Sequence, residues 1–199
     1  MTDEEVTVTR NTLVLGISTL LLLGIVSVVV LSGYAPQAYT LTEASHIATR
    51  YLASMRTSDL TVGEVMEFTK NFYVIFYERS TGIGAFEMLI DNTTGRIFPE
   101  YGPNMMWNFK YGLGGMMGRG NHSLSGDMPI DGATAVVKAR ELLAQRYPGT
   151  LVDDPHPFYG YNTLHTIQNG RIHGMLSVNG YDGTVWCHSW HGAYVQHQE

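Results

Sequence analysis

The pattern of hydrophobic and polar positions begins with a long apolar run near the N-terminus. Residues 12–32 read TLVLGISTLLLLGIVSVVVLS and contain no charged side chain. A helix of this length spans about 30 Å, the hydrocarbon thickness of a bilayer, so the sequence predicts one transmembrane helix here. The alternative is a cleaved signal peptide. The preceding MTDEEVTVTR is mostly acidic, however, whereas such a peptide starts with basic residues and has an apolar region of about 7 to 15 residues.

A helix followed by strands is predicted after a short linker. Thr40 and Glu43 have the spacing of a capping box, in which each side chain bonds the other residue's backbone. Apolar side chains then recur at helical spacing up to Met55, which predicts one buried helix face. Residues 71–78 and 85–91 are rich in aromatic and aliphatic side chains, so both are predicted to be strands.

The same order of elements returns further along the chain. Asp131 is the predicted N-cap of a second helix. Residues 158–167 and 172–179 are predicted strands, joined by Asn169-Gly170, a dipeptide typical of tight hairpin turns. One copy of about 60 residues buries too little apolar surface to be stable alone. We therefore expect one body that is made of two related halves.

Both copies share a strand-turn-strand sequence that resembles a known family. The first copy reads FEMLIDNTTGRI over residues 86–97, with an Asp-x-x-x-Gly turn before the last strand, and the second reads LSVNGYDGTV over residues 176–185, with Asn179 at the Asp position. This pattern resembles the PepSY domain family. The resemblance implies an exported or membrane-anchored protein without catalytic residues, which modulates a protease or assists a membrane system.

These observations together predict an α+β fold class, with one N-terminal transmembrane helix followed by two related helix-plus-antiparallel-sheet (PepSY-like) repeats. The predicted segments, in chain order, are a cytoplasmic N-terminal tail at 1–11, the transmembrane helix at 12–32, a linker at 33–39, the first repeat at 40–100, a Met- and Gly-rich connecting loop at 101–128 and the second repeat at 129–199.

The distribution of charge narrows the choice of partners and of location. The formal net charge is -6 and the basic residues are scattered, so we expect no nucleic-acid partner. Arg10 precedes the apolar run and no Lys or Arg follows it until Arg50, so the positive-inside rule places the N-terminus in the cytoplasm. The prediction is a single-pass cell-membrane protein with an extracytoplasmic C-terminal domain. Its expected partners are the lipid bilayer, through residues 12–32, and another membrane or exported protein.

The connecting loop is the first segment with candidate chemistry. Residues 101–128 are rich in Met and Gly, and thioether ligands select Cu(I). The same composition also suits a loop that packs on the body, or one that contacts a partner protein through an adaptable surface. All three interpretations stay open. The candidate metal ligands in this loop are Met105, Met106, Met116, Met117 and His122.

The second segment with candidate chemistry is WCHSWH, residues 186–191. A thiol and imidazoles can bind Zn or Cu, which makes Cys187, His188 and His191 candidate ligands. In a continuous strand Cys187 and His191 stand about 13 Å apart, so a shared ion requires a turn after Trp186. Cys187 is the only cysteine of the chain, which excludes an intramolecular disulfide. The alternative is that it is a small buried apolar residue.

Further histidines lie on or near the predicted strands of the second repeat, namely His156, His165 and His173. His165 and His173 flank the Asn169-Gly170 turn, so they are predicted to face each other across the hairpin. Such a pair titrates near neutral pH, and the alternative is a solvent-facing position on the sheet.

The predicted function is that of a non-enzymatic accessory protein. The sequence holds no G-x-S-x-G, H-E-x-x-H, P-loop or G-x-G-x-x-G motif. The leading hypothesis is a membrane-anchored, extracytoplasmic PepSY-like protein that regulates or assists a membrane or exported protein and needs no cofactor. The alternative is an accessory protein that handles copper or another metal through the Met-rich loop and the C-terminal Cys/His segment.

Overall fold

The two long helices in the described residues begin where the sequence predicts them, whereas a short helix at Pro103–Met106 lies in the segment that was predicted as a loop. The structure, a computed structural model, describes residues 38–112 and 128–198. Helix α1 has the predicted capping box, since the Thr40 N–H donates to the Glu43 carboxylate at 2.8 Å and the Glu43 N–H donates to the Thr40 hydroxyl. These bonds satisfy N–H groups that a helix start leaves without partners. The helices within residues 38–112 and 128–198 are α1 (Leu41–Ser54), α2 (Pro103–Met106) and α3 (Gly132–Arg146).

The described strands all belong to one mixed sheet. They are β1 (Leu60–Phe68), β2 (Asn71–Glu78), β3 (Gly84–Asp91), β4 (Ile97–Pro99), β5 (Leu151–Val152), β6 (His156–Phe158), β7 (Tyr161–Gln168), β8 (Arg171–Asn179), β9 (Val185–Cys187) and β10 (Tyr194–Gln198). The strand order is β10-β1-β2-β3-β6-β7-β8-β9, with β4 beside β3 and β5 beside β7. β3 and β6 pair in parallel, which joins the first half of the body (residues 38–112) to the second half (residues 128–198).

Alternation along the strands divides the buried side chains between two faces. On one face, α1 packs against β2 side chains such as Val74, and α3 packs against β7 and β8 side chains such as Leu164 and Leu176. The opposite face carries residues of both halves, including Tyr73 from β2 and Tyr161 from β7. We call this second surface the central face, and it is the face on which the candidate sites lie.

The predicted fold class is wrong, because the strands do not form two small antiparallel sheets. β10 leaves the second half and pairs with β1 of the first half, and the sheet continues through β3 and β6. Each half thus covers the strand edges of the other, which satisfies backbone groups that separate sheets would expose. None of the helices in residues 38–112 and 128–198 is long and apolar enough to cross a membrane. The apolar run 12–32 lies outside the described residues.

One predicted strand is broken by a close backbone contact. The strand predicted over 158–167 is divided between β6 and β7 at Gly160, whose φ is +119°. A Cβ atom at this position would lie 2.1 Å from the Trp107 carbonyl oxygen, so only glycine fits. The break lets the segment around Trp107 lie against the central face.

Candidate metal centre

The C-terminal segment turns onto the central face directly after β9. The strand ends at Cys187, one residue beyond the point at which the sequence required a turn. The His188 N–H donates to the Met175 carbonyl at 2.9 Å, and the His191 carbonyl accepts from the Lys70 N–H at 3.0 Å. Gly192 follows with a φ of +84°, a conformation that other residues rarely adopt. The turn therefore brings His188 and His191 beside the first half of the body.

Glu100 completes a group of three residues, which we call the buried triad (Glu100, His188 and His191). The Glu100 Oε1 atom lies 2.9 Å from His191 Nε2 and 3.2 Å from His188 Nδ1. The side chains are 0%, 0% and 2% exposed, respectively for Glu100, His188 and His191. One nitrogen or oxygen atom of each residue lies within 4.8 Å of the others. The triad is therefore an enclosed set of nitrogen and oxygen ligands.

Neighbouring hydrogen bonds determine the orientation of the His191 ring. His191 Nδ1 lies 2.9 Å from the Asn71 side-chain oxygen, and the Asn71 amide nitrogen donates to the Trp190 carbonyl at 3.3 Å. Since that amide oxygen can only accept, His191 Nδ1 must carry a hydrogen. In a neutral imidazole the other nitrogen then has a lone pair. Nε2 of His191 thus directs its lone pair at the Glu100 carboxylate.

A chain of hydroxyl groups orients His188 in the same way. The Thr163 hydroxyl donates to the Glu87 carboxyl at 2.9 Å, and the Ser177 hydroxyl lies 2.9 Å from Thr163. His188 Nε2 lies 3.0 Å from the Ser177 oxygen. If Ser177 donates to Thr163, its oxygen accepts a hydrogen from His188 Nε2. Nδ1 of His188 then also directs a lone pair at Glu100.

Of the two neighbouring buried carboxyl groups, Glu87 and Glu100, it is Glu100 that carries the negative charge. Burial acts to raise the pKa of Glu100, but attraction to the two imidazoles in their protonated form outweighs it and lowers the pKa. Burial and the neighbouring Glu100 charge raise the pKa of Glu87 well above its usual value. Burial lowers the pKa of His191. The second oxygen of Glu100, Oε2, has no hydrogen-bond partner among the described residues.

Two of the three separations between the ligand atoms are close to those around a single metal ion, and the third is within 4.8 Å. Metal bonds to histidine and carboxylate ligands are about 2.0–2.2 Å long, which places two ligands of a tetrahedral ion roughly 3.3 Å apart. The observed separations from Glu100 Oε1 are 2.9 and 3.2 Å. Two imidazoles and one carboxylate form a set that suits Zn²⁺ and other divalent first-row metals.

The other predicted ligands lie elsewhere. Cys187 packs with the apolar side chains under α3, and burial raises the pKa of its thiol. Met105 lines a cavity beside Tyr51, and the Met106 side chain is exposed. Met116, Met117 and His122 lie outside the described residues. Glu100 was missed because nothing in its local sequence distinguishes it from a surface acid.

A second group of similar composition, which we call the cavity cluster, is formed by Glu64, His156 and His165. His165 Nε2 lies 3.4 Å from Glu64 Oε2, and the two imidazole rings are 5.2 Å apart. His165 Nδ1 lies 2.6 Å from Asp153 Oδ2. Burial alone would lower the pKa of His165, but the carboxylates of Asp153 and Glu64 raise the pKa to about 9.

The predicted pairing of His165 with His173 is wrong. In the register of β7 and β8, His165 lies opposite Met175, and a register shift separates this pair from the turn. His173 is exposed, whereas His165 is buried on the central face. The sequence could not reveal this shift, because one irregular position in the ladder changes which side chains are opposite.

The chain matches no protein-family model and no curated protein. Among solved structures it is similar to the Bacillus megaterium YpeB C-terminal domain, at 11% sequence identity and a TM-score of 0.28. The match covers 75% of this chain and 62% of that structure, so the chain spans less than two thirds of the neighbour's length. At this TM-score the likeness carries no argument about function. The resemblance to the PepSY family stays a prediction.

Proposed function

We propose that the protein is a non-enzymatic accessory protein that holds one divalent transition-metal ion, of the Zn²⁺ class, at the buried triad. The observation that carries the proposal is the convergence of His188 Nδ1 and His191 Nε2 on one oxygen of Glu100. The opposite nitrogen of each ring is occupied by a hydrogen-bond partner, Ser177 or Asn71. Such outer partners are what orient histidine ligands in metal sites.

A cation accounts for contacts that neutral side chains leave unfavourable. When both imidazoles are neutral, their lone pairs repel the carboxylate, and a buried carboxylate without a cation costs several kcal/mol. The Trp190 indole N–H donates to Glu100 Oε1 at 3.2 Å, which supplies a single neutral hydrogen bond. A divalent ion between the three atoms removes the repulsion and neutralises the charge.

Enclosure of the triad favours holding an ion over catalysis. Catalytic zinc sites keep one position open for water or substrate, whereas structural sites are closed. The triad side chains are at most 2% exposed. The ion would join Glu100 of the first half to two histidines of the second half, so its binding is coupled to the folded arrangement of both.

This proposal narrows the alternative that the sequence predicted. It keeps His188 and His191 as ligands and adds Glu100, so the ligand atoms are nitrogen and oxygen rather than thioether sulfur. Such a set favours Zn²⁺ or another divalent ion over Cu(I). The predicted protein partner and the cellular location stay predictions.

The test is the metal content of the purified full-length chain and of two variants. After equilibration with zinc and removal of free ion, elemental analysis of Glu100→Gln and His191→Ala should each show about one ion per chain fewer than the unchanged protein. Glu100→Gln nearly preserves the shape of the side chain, so it reports on ligation even if His191→Ala folds poorly.

The control is His46→Ala, since His46 is an exposed histidine on α1. It should leave the zinc content unchanged. Equal zinc content in the unchanged protein, Glu100→Gln and His191→Ala would overturn the proposal and leave the triad as a hydrogen-bonded group.

A further inference from the structure

We infer that the cavity cluster is a second metal site, which binds a divalent ion that exchanges with the solvent. Its ligands are Glu64 from β1, His156 from β6 and His165 from β7, all on the central face. One ligand atom from each residue lies within 4.8 Å of the others. No residue of the buried triad takes part, so the inference goes beyond the proposed function and does not depend on it.

Two polar atoms at this cluster are buried and directed into it. The His165 side chain is 5% exposed, and its Nε2 atom has no hydrogen-bond partner of good geometry among the described residues. The same holds for Oε2 of Glu64, whose side chain is 11% exposed. The two atoms are 3.4 Å apart, close to the roughly 3.3 Å expected for two ligands of one tetrahedral ion.

Asp153 orients the His165 ring for ligation. Its carboxylate accepts from the His165 backbone N–H at 2.9 Å and lies 2.6 Å from Nδ1 of the same residue. With Nδ1–H held by Asp153, the proton that a metal must displace is the one on Nε2, and its release leaves Nε2 with the lone pair that the metal needs. A carboxylate that holds a histidine in this tautomer is a common outer partner in metal sites. On the other ring, Nδ1 of His156 lies 2.7 Å from the Tyr77 hydroxyl.

A surface cavity of about 410 Å³ borders all three ligands of the cluster. Glu64, His156, His165 and Asp153 all line it. A water molecule occupies about 30 Å³ of liquid, so the cavity holds the water ligands of a bound ion or a small anion in their place. Three protein ligands and an open position form the arrangement of exchangeable and reactive metal sites. We therefore expect this ion to leave faster than the enclosed one.

Gly63 is needed for the shape of this cavity. A Cβ atom at position 63 would lie 2.3 Å from the Tyr77 ring, which is the ring that supports His156. The small residue next to Glu64 thus lets the aromatic ring reach the cluster. Replacement of Gly63 would displace Tyr77 rather than a ligand.

The test measures zinc release from the full-length chain to a colorimetric chelator. The unchanged protein should show a fast phase from the cavity cluster and a slow phase from the buried triad. His165→Ala and Glu64→Gln should each remove the fast phase and about one ion per chain. Glu64→Gln changes a partly exposed side chain on β1, so it remains informative if His165→Ala folds poorly. Glu100→Gln should remove only the slow phase.

Asp153→Asn and an exposed histidine supply the matched comparisons. Loss of an outer carboxylate typically weakens metal affinity by about 10- to 100-fold, so Asp153→Asn should speed the fast phase without removing it from the zinc-saturated protein. His173→Ala, an exposed histidine on β8, should change neither phase.

A fast phase that persists unchanged in both His165→Ala and Glu64→Gln would overturn the inference, and His165 would then be an ion-paired imidazolium between two carboxylates. Loss of the fast phase in these variants, together with an unchanged zinc content in Glu100→Gln, would support the cavity cluster and reject the buried triad. The two proposals can thus fail separately.

Discussion

The buried triad and the cavity cluster use the same ligand types in different surroundings. Each takes one glutamate from the first half of the body and two histidines from the second half. The triad side chains are at most 2% exposed, whereas Glu64 is 11% exposed and borders a cavity. Equal ligands therefore do not imply equal roles. Solvent access decides whether an ion fastens two halves of a fold or exchanges with its surroundings.

If the buried triad holds an ion as proposed, removal of that ion should have the largest effect on stability. An ion present at about 1,000 times its dissociation constant stabilises the folded state by about 4 kcal/mol. For a body of this size that corresponds to an unfolding temperature lower by about 8–16 °C after treatment with a strong chelator. Calorimetry of the zinc-loaded and chelated protein measures the difference.

The same measurement on Glu100→Gln and Glu64→Gln separates the two clusters. The chelator should have little further effect on Glu100→Gln, since the enclosed ion is already lost, but most of its effect should remain in Glu64→Gln. A larger loss of the effect in Glu64→Gln would reverse the roles assigned to the two clusters.

Low pH should destabilise the fold by protonating a third glutamate, Glu78. This effect limits the pH range in which metal release can be compared. Glu78 is 2% exposed and accepts from Lys110, Tyr111 and Tyr159. Burial acts to raise the pKa of Glu78, but these hydrogen bonds outweigh it and lower the pKa to about 2, from a usual value of 4.5. Since the folded-state pKa is depressed, this contribution is present above about pH 4.5 and is lost as the pH falls to about 2.

Chemical denaturation of the unchanged protein and of Glu78→Gln between pH 6 and pH 2 measures the contribution of the Glu78 charge to stability. The difference in unfolding free energy should shrink by about 2–3 kcal/mol over the range. A constant difference would show that the Glu78 charge does not stabilise the fold. Metal release near pH 5 to 6, where Glu78 keeps its charge in both states, then reports on the ligands rather than on acid unfolding at Glu78.

The zinc affinity of Asp153→Asn measures how much the outer carboxylate of Asp153 contributes to metal binding at the cavity cluster. Competition with a chelator of known affinity should show that the zinc affinity of the cavity cluster falls by about 10- to 100-fold. The reason is that the asparagine amide no longer stabilises the tautomer of His165. The affinity of the enclosed ion should be unchanged. Equal weakening at both ions would mean that the variant disturbs the whole central face.

The smallest effect is expected for Cys187→Ala, which changes the residue directly before the ligand His188. Cys187 packs on the α3 side of the sheet, opposite the central face. Removal of its sulfur should cost about 1 kcal/mol of stability, as for other small losses from partly buried positions, and should leave both zinc ions in place. Loss of an ion from this variant would make Cys187 a ligand, as the sequence hypothesis holds.

Local elements could be read from the chain because short-range contacts form them. Thr40 and Glu43 cap α1, the Asp131 side chain caps α3, and Asn169-Gly170 turns the hairpin with positive φ at both residues. Each of these features depends on groups within four residues of one another, so composition and spacing suffice to predict it. The strands β2, β3 and β8 follow from their apolar pattern in the same way.

The two clusters and the single sheet could be recognised only in the folded structure. Glu100 meets His188 and His191 because the segment after β9 turns onto the first half, and β10 pairs with β1 beyond that turn. Glu64 meets His165 because β1 and β7 lie near each other across the central face. Contacts between residues so far apart in sequence leave no periodic signal. They are determined by which surfaces bury each other, and that is a property of the whole packed body.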